Sequence, residues 1–360
     1  MEEEEPPAEE GEDEENRPVK QKVLYFKETD YHLRVPHERF LNHKNLESLA
    51  MAAPETQPML KVSILCCGVR YGHGEGAFYD HFKKAWIQSP EFLHILGKGD
   101  NLIPTIHVRD LARATKRIID DEIKKNYIFC VDKTKKPSQK RIVQAISSGI
   151  GTGQVKNIEE DQIADGIIWK DYMLINLKMK SSSIFRAKAP PEGEELEEAE
   201  LQKLNFPWHC KKGIIDNALQ LNLEFNEARQ LKPIKIMITG PPASGKTYYS
   251  EKLNKLYNIP IVNVKQISDK ALMYSQTEEE EGIAAEIKAK LEEVKDLAIA
   301  KLEEEATEKG EEPPEIDREK FKVRVPNDII YQLLKIRLNE NDCRNRGYIL
   351  DGYPRNLKDC

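Results

Sequence analysis

The feature that most constrains this chain is a glycine-rich octapeptide between an apolar run and an amphipathic segment. It is Gly-Pro-Pro-Ala-Ser-Gly-Lys-Thr at residues 240–247, and the apolar run before it covers residues 234–239. A buried strand that enters such a turn and then a helix can wrap successive backbone N–H groups around phosphate oxygens. A glycine-proline turn that fits by accident is a weak alternative, because eight positions match. The octapeptide therefore predicts a nucleoside triphosphate site in an α/β fold.

Each part of this loop has an expected role. Lys246 would place a positive charge on the outer phosphates of ATP, and the amides of residues 243–247 would surround the phosphates. The hydroxyl of Thr247 would bind Mg²⁺, the cofactor that accompanies ATP. The predicted ATP-binding residues are Gly240, Ala243, Ser244, Gly245, Lys246, Thr247 and Tyr248.

A second motif lies near the end of the chain, at residues 347–355. A short apolar strand ends in Asp351, and the turn Gly352-Tyr353-Pro354 then presents Arg355. Ligands in parallel α/β sheets gather at the carboxyl ends of the strands, so we expect Asp351 to lie beside Lys246. Asp351 and Thr247 would then hold Mg²⁺, and the Arg355 guanidinium would bind a second phosphate.

Together the two motifs resemble the adenylate and nucleoside monophosphate kinase family, from about residue 232 to the chain end. The resemblance implies reversible transfer of the ATP γ-phosphoryl group to AMP or another nucleotide, with nucleoside mono- and diphosphates as partners. It makes Lys246 and Arg355 the catalytic residues. It also implies an acceptor site at Val323, Arg324, Val325, Gly352, Tyr353, Pro354 and Arg355. Asn327 is expected to cap the core-facing helix that follows.

Two departures from the family pattern lie around the acceptor site. Tyr274 stands where family members carry an arginine for the acceptor phosphate, and the ammonium of Lys270 is a poor geometric substitute for a guanidinium. An insertion at residues 277–320 holds seventeen acidic and seven basic residues. Its apolar residues recur every three or four positions from Ile283 to Leu302, which predicts a long charged helix. Two interpretations stay open, a solvated spacer and a docking helix for a partner.

A third departure concerns the chain end, five residues after Arg355. The family places a second lid, phosphoryl-clamping arginines and two more strands beyond this point, so we expect an incomplete sheet and weak or absent catalysis. The strand before the phosphate loop would lie at an unprotected sheet edge. A non-catalytic nucleotide-binding or scaffold protein is therefore the alternative function.

A different domain precedes the loop. Residues 62–67 predict a buried strand, followed by glycines at 72, 74 and 76 and a helix over residues 78–86. Gly72, Gly74 and Ala77 fit a loose dinucleotide spacing, but spacing alone is weak. Residues 96–112 add a Gly-x-Gly turn and an Ile-His-Val-x-Asp-Leu-Ala stretch. The two segments resemble the second half of extended short-chain dehydrogenase/epimerase domains.

That resemblance implies a partial Rossmann-like domain in which Asp110 caps a helix over residues 111–119, residues 127–131 form the next strand and His107 is structural. No glycine fingerprint or Tyr-x-x-x-Lys pair precedes it, so an NAD(P)-binding oxidoreductase is less favoured. An epimerase-like segment followed by a nucleotide kinase domain resembles the architecture of a cilium-associated member of the adenylate kinase family. Ciliary or axonemal placement, with a ciliary protein partner, is implied by this resemblance alone.

Composition agrees with two domains in 360 residues. We expect an acidic disordered tail at 1–20, an epimerase-like domain at 21–180, a linker and helix at 181–231, and the kinase-like domain at 232–360. The net charge of −7 comes from ten acidic residues within residues 1–15, and no basic stripe indicates nucleic acid. Six scattered cysteines and the lack of a long apolar segment predict a cytoplasmic protein with no disulfide framework and no membrane contact.

Overall fold

The computed structural model describes residues 25–163, 167–188, 204–274, 282–309, 321 and 323–354. Every strand pair among them is parallel and helices surround the sheets, so the predicted α/β fold class is confirmed. We call residues 25–231 the upstream unit and residues 232–354 the downstream unit. Arg355, the acidic tail and residues 189–203 of the predicted linker and helix lie outside the described residues.

The strands are β1 Ile64–Cys67, β2 Val69–Tyr71, β3 Phe92–Leu96, β4 Thr105–His107, β5 Tyr127–Cys130, β6 Gln154–Ile158, β7 Ile234–Ile238, β8 Ile261–Asn263 and β9 Gly347–Asp351. The helices are α1 Leu41–Thr56, α2 Tyr79–Ile87, α3 Val108–Asp120, α4 Gln139–Ile150, α5 Ile168–Met173, α6 Gly213–Asp216, α7 Ala218–Ala228, α8 Lys246–Tyr257, α9 Val264–Tyr274, α10 Ile283–Lys309, α11 Asn327–Leu338 and α12 Asn341–Arg346. Short 3₁₀ turns occur at Glu28–Leu33, Glu38–Phe40, Glu160–Gln162 and Ser183–Phe185.

The upstream unit is built on three parallel strand pairs. These are β1 with β5, β2 with β4 and β3 with β6. Strands β1 and β2 are separated by Gly68, where a Cβ would lie only 2.7 Å from the carbonyl oxygen of Pro104. The predicted strand at residues 62–67 begins at Ile64 and is half-buried rather than buried. Among the described residues, β1 has a hydrogen-bonded neighbour on one side only, which explains this difference.

Helices α2, α4 and α7 cover one apolar core of the upstream unit. Helix α4 buries Ile142, Ile146 and Ile150, which are four residues apart and therefore lie on one face. Within the 181–231 segment, the apolar residues from Ile214 to Leu231 predict one continuous helix that would support the downstream unit. The structure divides it into α6 and α7 at Asn217, whose φ is −118° and ψ is 17°. Ile214, Leu221 and Phe225 enter the upstream core, whereas Leu219 and Leu223 are exposed.

Helix α3 begins three residues earlier than predicted. His107 occupies its N-cap position and accepts the Arg109 N–H at Nδ1, 3.1 Å away. Asp110 does not cap the helix. Its buried carboxylate accepts the backbone N–H groups of His209 (2.6 Å) and Cys210 (2.9 Å). A tertiary partner has therefore taken the oxygen atoms that local reasoning assigned to the helix start.

The downstream unit is a three-stranded sheet in the order β7-β9-β8. Strand β7 lies at an edge of this sheet, as expected for the strand before the phosphate loop, although its apolar sequence alone indicates a buried strand. Ile234 is 49% exposed and Met237 is 59% exposed. Among the described residues, only β9 pairs with β7, so one side of the strand faces solvent. The central strand β9 pairs with both β7 and β8.

Helices α9, α10 and α11 enclose the main core of the downstream unit. Ile287 and Leu291 of α10 are buried in it, whereas Leu302 farther along is 38% exposed. The predicted long charged helix is thus present, and its first half packs against α9. Helix α11 begins at Asn327, and Pro326 holds the N-cap position without a side-chain cap. The prediction that Asn327 caps this helix is wrong by one position.

The five described cysteines, at 66, 67, 130, 210 and 343, are free thiols. This agrees with the prediction of no disulfide framework. Among the described helices, none combines the length and the apolar character needed to cross a membrane.

Candidate nucleotide site

The phosphate-loop segment joins β7 to α8, in the strand–loop–helix arrangement predicted from the sequence. Gly245 is the N-cap of α8 in the left-handed conformation, with φ at 81°. Gly240 has φ at 152°, and a Cβ there would lie 2.9 Å from the Ser244 Oγ. The loop therefore curls onto itself where the first N–H groups of α8 have no helical acceptor, which is the arrangement that binds anions.

Two residues of the loop have unusual conformations or contacts: the backbone of Ala243 is strained, and the side chain of Lys246 folds back onto the loop. Ala243 has φ at 62°, a region that L-residues with a Cβ rarely adopt. The Lys246 Nζ donates hydrogen bonds to the carbonyl oxygens of Gly240 (2.9 Å) and Pro241 (2.7 Å). The ammonium group therefore lies across the mouth of the loop.

The second motif meets the loop as the parallel sheet predicts. The Thr247 hydroxyl donates to the Asp351 Oδ2 at 2.9 Å, although 104 residues separate the two. A Cβ at Gly352 would lie 3.6 Å from the Lys246 Cε, so the turn after β9 also borders this lysine. Residues from both motifs thus converge on one end of the sheet.

The donor atoms at this point fit Mg²⁺. The Asp351 Oδ1 is buried and accepts no hydrogen bond from the described residues. A buried carboxylate oxygen without a partner is costly, and a hydroxyl beside a carboxylate is an oxygen set that Mg²⁺ prefers. Thr247 and Asp351 are therefore the residues that would hold this ion.

The other predicted nucleotide contacts have mixed exposure. Tyr248 is 57% exposed and Ser244 is exposed, next to the loop. Val325 is a core residue at 5% exposure, whereas Arg324 before it is exposed and Val323 is half-buried. Tyr353 is 5% exposed. A role for these residues in binding the acceptor stays a prediction, and Arg355 lies outside the described part of the chain.

Lys270 of α9, the cation nearest in sequence to Tyr274, already has an acidic partner. The Lys270 Nζ pairs with the Glu340 Oε1 at 3.3 Å. Tyr274 packs against the apolar core that α9, α10 and α11 share. Lys270 therefore already has an acidic partner, and it cannot replace a family arginine without breaking that pair.

A second polar cluster, which sequence reasoning missed, lies in the upstream unit. The Glu224 carboxylate bridges His107 Nε2 (2.9 Å) and His209 Nε2 (2.6 Å). Burial opposes ionisation of Glu224, but the hydrogen bonds from His209 and His107 hold the pKa of this carboxyl below its ordinary value. Burial lowers the pKa of His107. No local signal predicts the cluster, because His107 lies 117 residues from Glu224 in the sequence.

His107, His209 and Cys210 have possible metal-ligating atoms within 4.8 Å of one another. The hydrogen bonds argue against metal binding here. His107 Nδ1 accepts the Arg109 N–H, so in the neutral ring the proton resides on Nε2 and is donated to Glu224. A metal-bound histidine normally donates its other ring N–H to an acceptor, and here that nitrogen faces a donor. The cluster therefore acts as a clamp between β4, the 208–210 segment and α7.

The upstream glycine loop serves this clamp. Gly72 has φ at 93°, and a Cβ there would lie 2.1 Å from His107 Nε2. The glycine is required by a buried histidine, so it gives no support to dinucleotide binding. Glu75 in the same loop is 1% exposed, and its Oε2 accepts the Gly72 N–H at 3.1 Å. Burial raises the pKa of Glu75 to about 7.

A cavity of about 1130 Å³ also lies in the upstream unit. It runs along β1, β2 and the glycine loop, and Trp169, Tyr172 and Arg70 contribute to its wall. None of its lining residues belongs to the phosphate loop. The cavity and the residues expected to bind a nucleotide therefore lie in different parts of the chain. We place the candidate site at the phosphate loop, because the convergent polar groups lie there.

Comparison with known proteins confirms the resemblance to the adenylate kinase family. The chain is 28% identical to adenylate kinase 7 of Mus musculus over 334 residues, which are 92% of this chain and 51% of that protein. It therefore spans about half the length of this curated relative. An adenylate kinase of Methanosarcina mazei is 29% identical over 124 residues, covering 34% of this chain and 42% of that protein.

Two further likenesses concern the upstream unit and the fold. The family described as Serine hydrolase (FSH1) matches residues 39–125. The serines in that segment are Ser48, Ser63 and Ser89, and none stands in the Gly-x-Ser-x-Gly arrangement that exposes a hydrolase nucleophile. A dTDP-glucose 4,6-dehydratase of Bacillus anthracis is 14% identical, with 57% of this chain and 58% of that chain covered at a TM-score of 0.38.

Proposed function

We propose that this chain binds Mg²⁺-ATP at the 240–247 loop and acts as a nucleoside monophosphate kinase, with AMP as the first acceptor to test. The observation that carries the proposal is the 2.9 Å contact between Thr247 and Asp351 beside the loop lysine. This contact supports the proposal because ATP requires a lysine for its phosphates and an oxygen site for Mg²⁺ at one point, and Lys246 and Asp351 would supply them. Similarity to adenylate kinases supplies the reaction class.

The residues of this chain would act mainly by positioning and by neutralising charge. Lys246 would leave the loop carbonyls and contact the β- and γ-phosphates, while the N–H groups at the start of α8 surround them. Mg²⁺, when bound by Thr247 and Asp351, supplies charge neutralisation between the phosphates. Arg355 would hold the acceptor phosphate. No general base is needed, because the acceptor phosphate is already an anion.

A second candidate function is nucleotide binding without efficient transfer, as in a scaffold protein. The specific observation in its favour is the Lys270–Glu340 pair, since the lysine nearest in sequence to Tyr274 is then already bound to an acidic side chain. We propose that transfer is slow for this reason. A cytoplasmic location, and a place with a protein partner in cilia, remain predictions from the family resemblance.

Calorimetric titration of the full chain tests the proposal. Mg²⁺-ATP is titrated into the wild type, Lys246→Ala, Asp351→Asn and Lys255→Ala, the last being an exposed lysine on the same helix. We expect binding to the wild type and to Lys255→Ala. Lys246→Ala is expected to lose binding, and Asp351→Asn to lose only its Mg²⁺-dependent part. Equal binding by all four proteins would refute the assigned site.

Turnover is measured separately. ADP formation from ATP and AMP is followed with the same four proteins in a coupled assay. Formation that depends on Lys246 supports the kinase, whereas binding without ADP formation supports the scaffold alternative. A fluorescent fusion in ciliated cells would test the placement.

A further inference from the structure

The two units meet at a polar contact that involves the end of helix α4. The last carbonyl groups of a helix have no acceptor role within it and need donors from elsewhere. Asn345 Nδ2 donates to the carbonyl oxygen of Ile150 at 2.8 Å. Asn341 Nδ2 donates to the carbonyls of Gly151 (2.8 Å) and Ser148 (3.1 Å). Both donors belong to α12 of the downstream unit, four residues apart on one face.

Asn345 is the more deeply placed of the two asparagines. Asn345 is only 2% exposed, and its Oδ1 accepts a hydrogen bond from Asn222 Nδ2 at 2.9 Å. Asn222 lies on α7, which the structure assigns to the upstream core. One buried amide therefore joins α4, α7 and α12, and loss of it would leave buried polar groups without partners.

Helix α12 leads directly into the nucleotide site. It ends at Arg346, and β9 begins at Gly347 with no intervening loop. Gly347 fits closely against β7, since a Cβ there would lie 1.9 Å from the carbonyl oxygen of Ile234. Strand β9 then runs to Asp351, the partner of Thr247. A displacement of α12 therefore reaches this strand directly, through the Arg346–Gly347 junction and through the core that Cys343 shares with Tyr348 and Leu350.

We propose that Asn341 and Asn345 are positioning residues for the nucleotide site, through which the upstream unit anchors α12 and thereby fixes β9 and Asp351. The upstream unit then has a structural function in Mg²⁺-ATP binding without containing any group that touches the nucleotide. The inference rests on the proposed function for its ligand. Its structural half, the anchoring of β9, is independent of any nucleotide.

The first test uses amide hydrogen exchange on the full chain without nucleotide. Asn345→Leu keeps most of the side-chain volume but removes both hydrogen bonds, and Asn341→Ala acts at the half-buried end of the contact. Asn157→Ala is the control, because it removes one bond to the carbonyl of Gly97 within the upstream unit. We expect faster exchange in residues 347–351 for the two contact variants and not for the control. Unchanged exchange in that strand would overturn the proposal.

The second test uses calorimetry with ATP in Mg²⁺ and with ATP in EDTA. Both contact variants are expected to bind Mg²⁺-ATP about fivefold more weakly or worse, the low end of couplings between distant sites, while ATP in EDTA binds as in the wild type. An equal loss under both conditions would show a general structural effect and would overturn the positioning role. If Asn345→Leu does not fold, Asn341→Ala decides the result. A wild type that binds no ATP would refute the proposed function, and hydrogen exchange would still decide the anchoring.

Discussion

Substitution of Gly72 by alanine is predicted to destabilise the upstream unit strongly, through two separable effects. The backbone at Gly72 has φ at 93°, and an added Cβ would lie 2.1 Å from His107 Nε2. His107 cannot move away easily, because its ring is fully buried, caps α3 and donates to Glu224. The substitution therefore adds both backbone strain and overpacking.

The magnitudes follow from these two effects. An L-residue with positive φ costs about 1–2 kcal/mol, and forcing extra atoms into a packed core costs about 1–3 kcal/mol. We expect Gly72→Ala to lower the free energy of unfolding by about 2–5 kcal/mol, a large part of the stability of an ordinary domain. The same loop offers two matched controls. A Cβ at Gly74, where φ is 121°, or at Gly76 meets no atom within 4 Å.

Gly74→Ala is expected to show the backbone cost alone, about 1–2 kcal/mol, and Gly76→Ala to stay within about 0.5 kcal/mol of the wild type. Urea unfolding followed by tryptophan fluorescence measures all three. The three tryptophans, Trp86, Trp169 and Trp208, all lie in the upstream unit, so the signal reports on that unit. Equal destabilisation by Gly72→Ala and Gly74→Ala would refute the assigned contact with His107.

Three further predictions concern other parts of the chain. Folding raises the pKa of Glu75 from 4.5 to about 7, so the folded protein binds this proton more tightly than the unfolded chain does. The free energy of unfolding is therefore expected to fall as the pH rises between these two values. Urea titrations at several pH values should show this slope in the wild type and not in Glu75→Gln. Ala243→Gly relieves the strain of a positive φ in the phosphate loop. After the entropy that glycine adds to the unfolded chain is subtracted, thermal unfolding is expected to show stability higher by about 0.5–1 kcal/mol. Lower stability of the variant would contradict backbone strain at Ala243. Ile287→Ala in the packed half of α10 should lower the free energy of unfolding by about 2–5 kcal/mol, whereas Leu302→Ala in its exposed half should lower it by less than about 0.5 kcal/mol. Similar decreases for the two variants would show that the whole helix is packed.

The nucleotide site could be predicted because its determinants are local or follow from sheet topology. The phosphate loop lies between adjacent elements, and a parallel sheet brings the end of β9 to the same edge. The contact between Thr247 and Asp351 needed no further information. The apolar sequence of β7 alone indicates a buried strand. Its exposure agrees instead with the expected edge position, since burial of a strand depends on which neighbours pair with it.

The incorrect helix predictions for the upstream unit have one physical cause, which is contact between residues that lie far apart in the sequence. Asp110 has the sequence position of a helix cap, but its oxygens bind amides ninety-nine and a hundred residues away. His107 then takes the cap position. Asn217 interrupts a helix that apolar periodicity predicts as continuous, because α7 turns to place Leu221 and Phe225 in the upstream core. Residue patterns report on neighbours along the chain and carry no record of such partners.

The hydrogen bonds of Lys246 to the loop carbonyls determine how the loop would respond to an anion. Binding there is an exchange, in which two carbonyl contacts are lost as phosphate contacts form, rather than a simple addition. The measured heat is then the difference between two sets of charge-assisted bonds, so a small enthalpy is compatible with tight binding. A single phosphate or sulfate ion would gain fewer contacts from this exchange than a polyphosphate. We therefore expect the loop to bind polyphosphates in preference to single phosphate or sulfate ions.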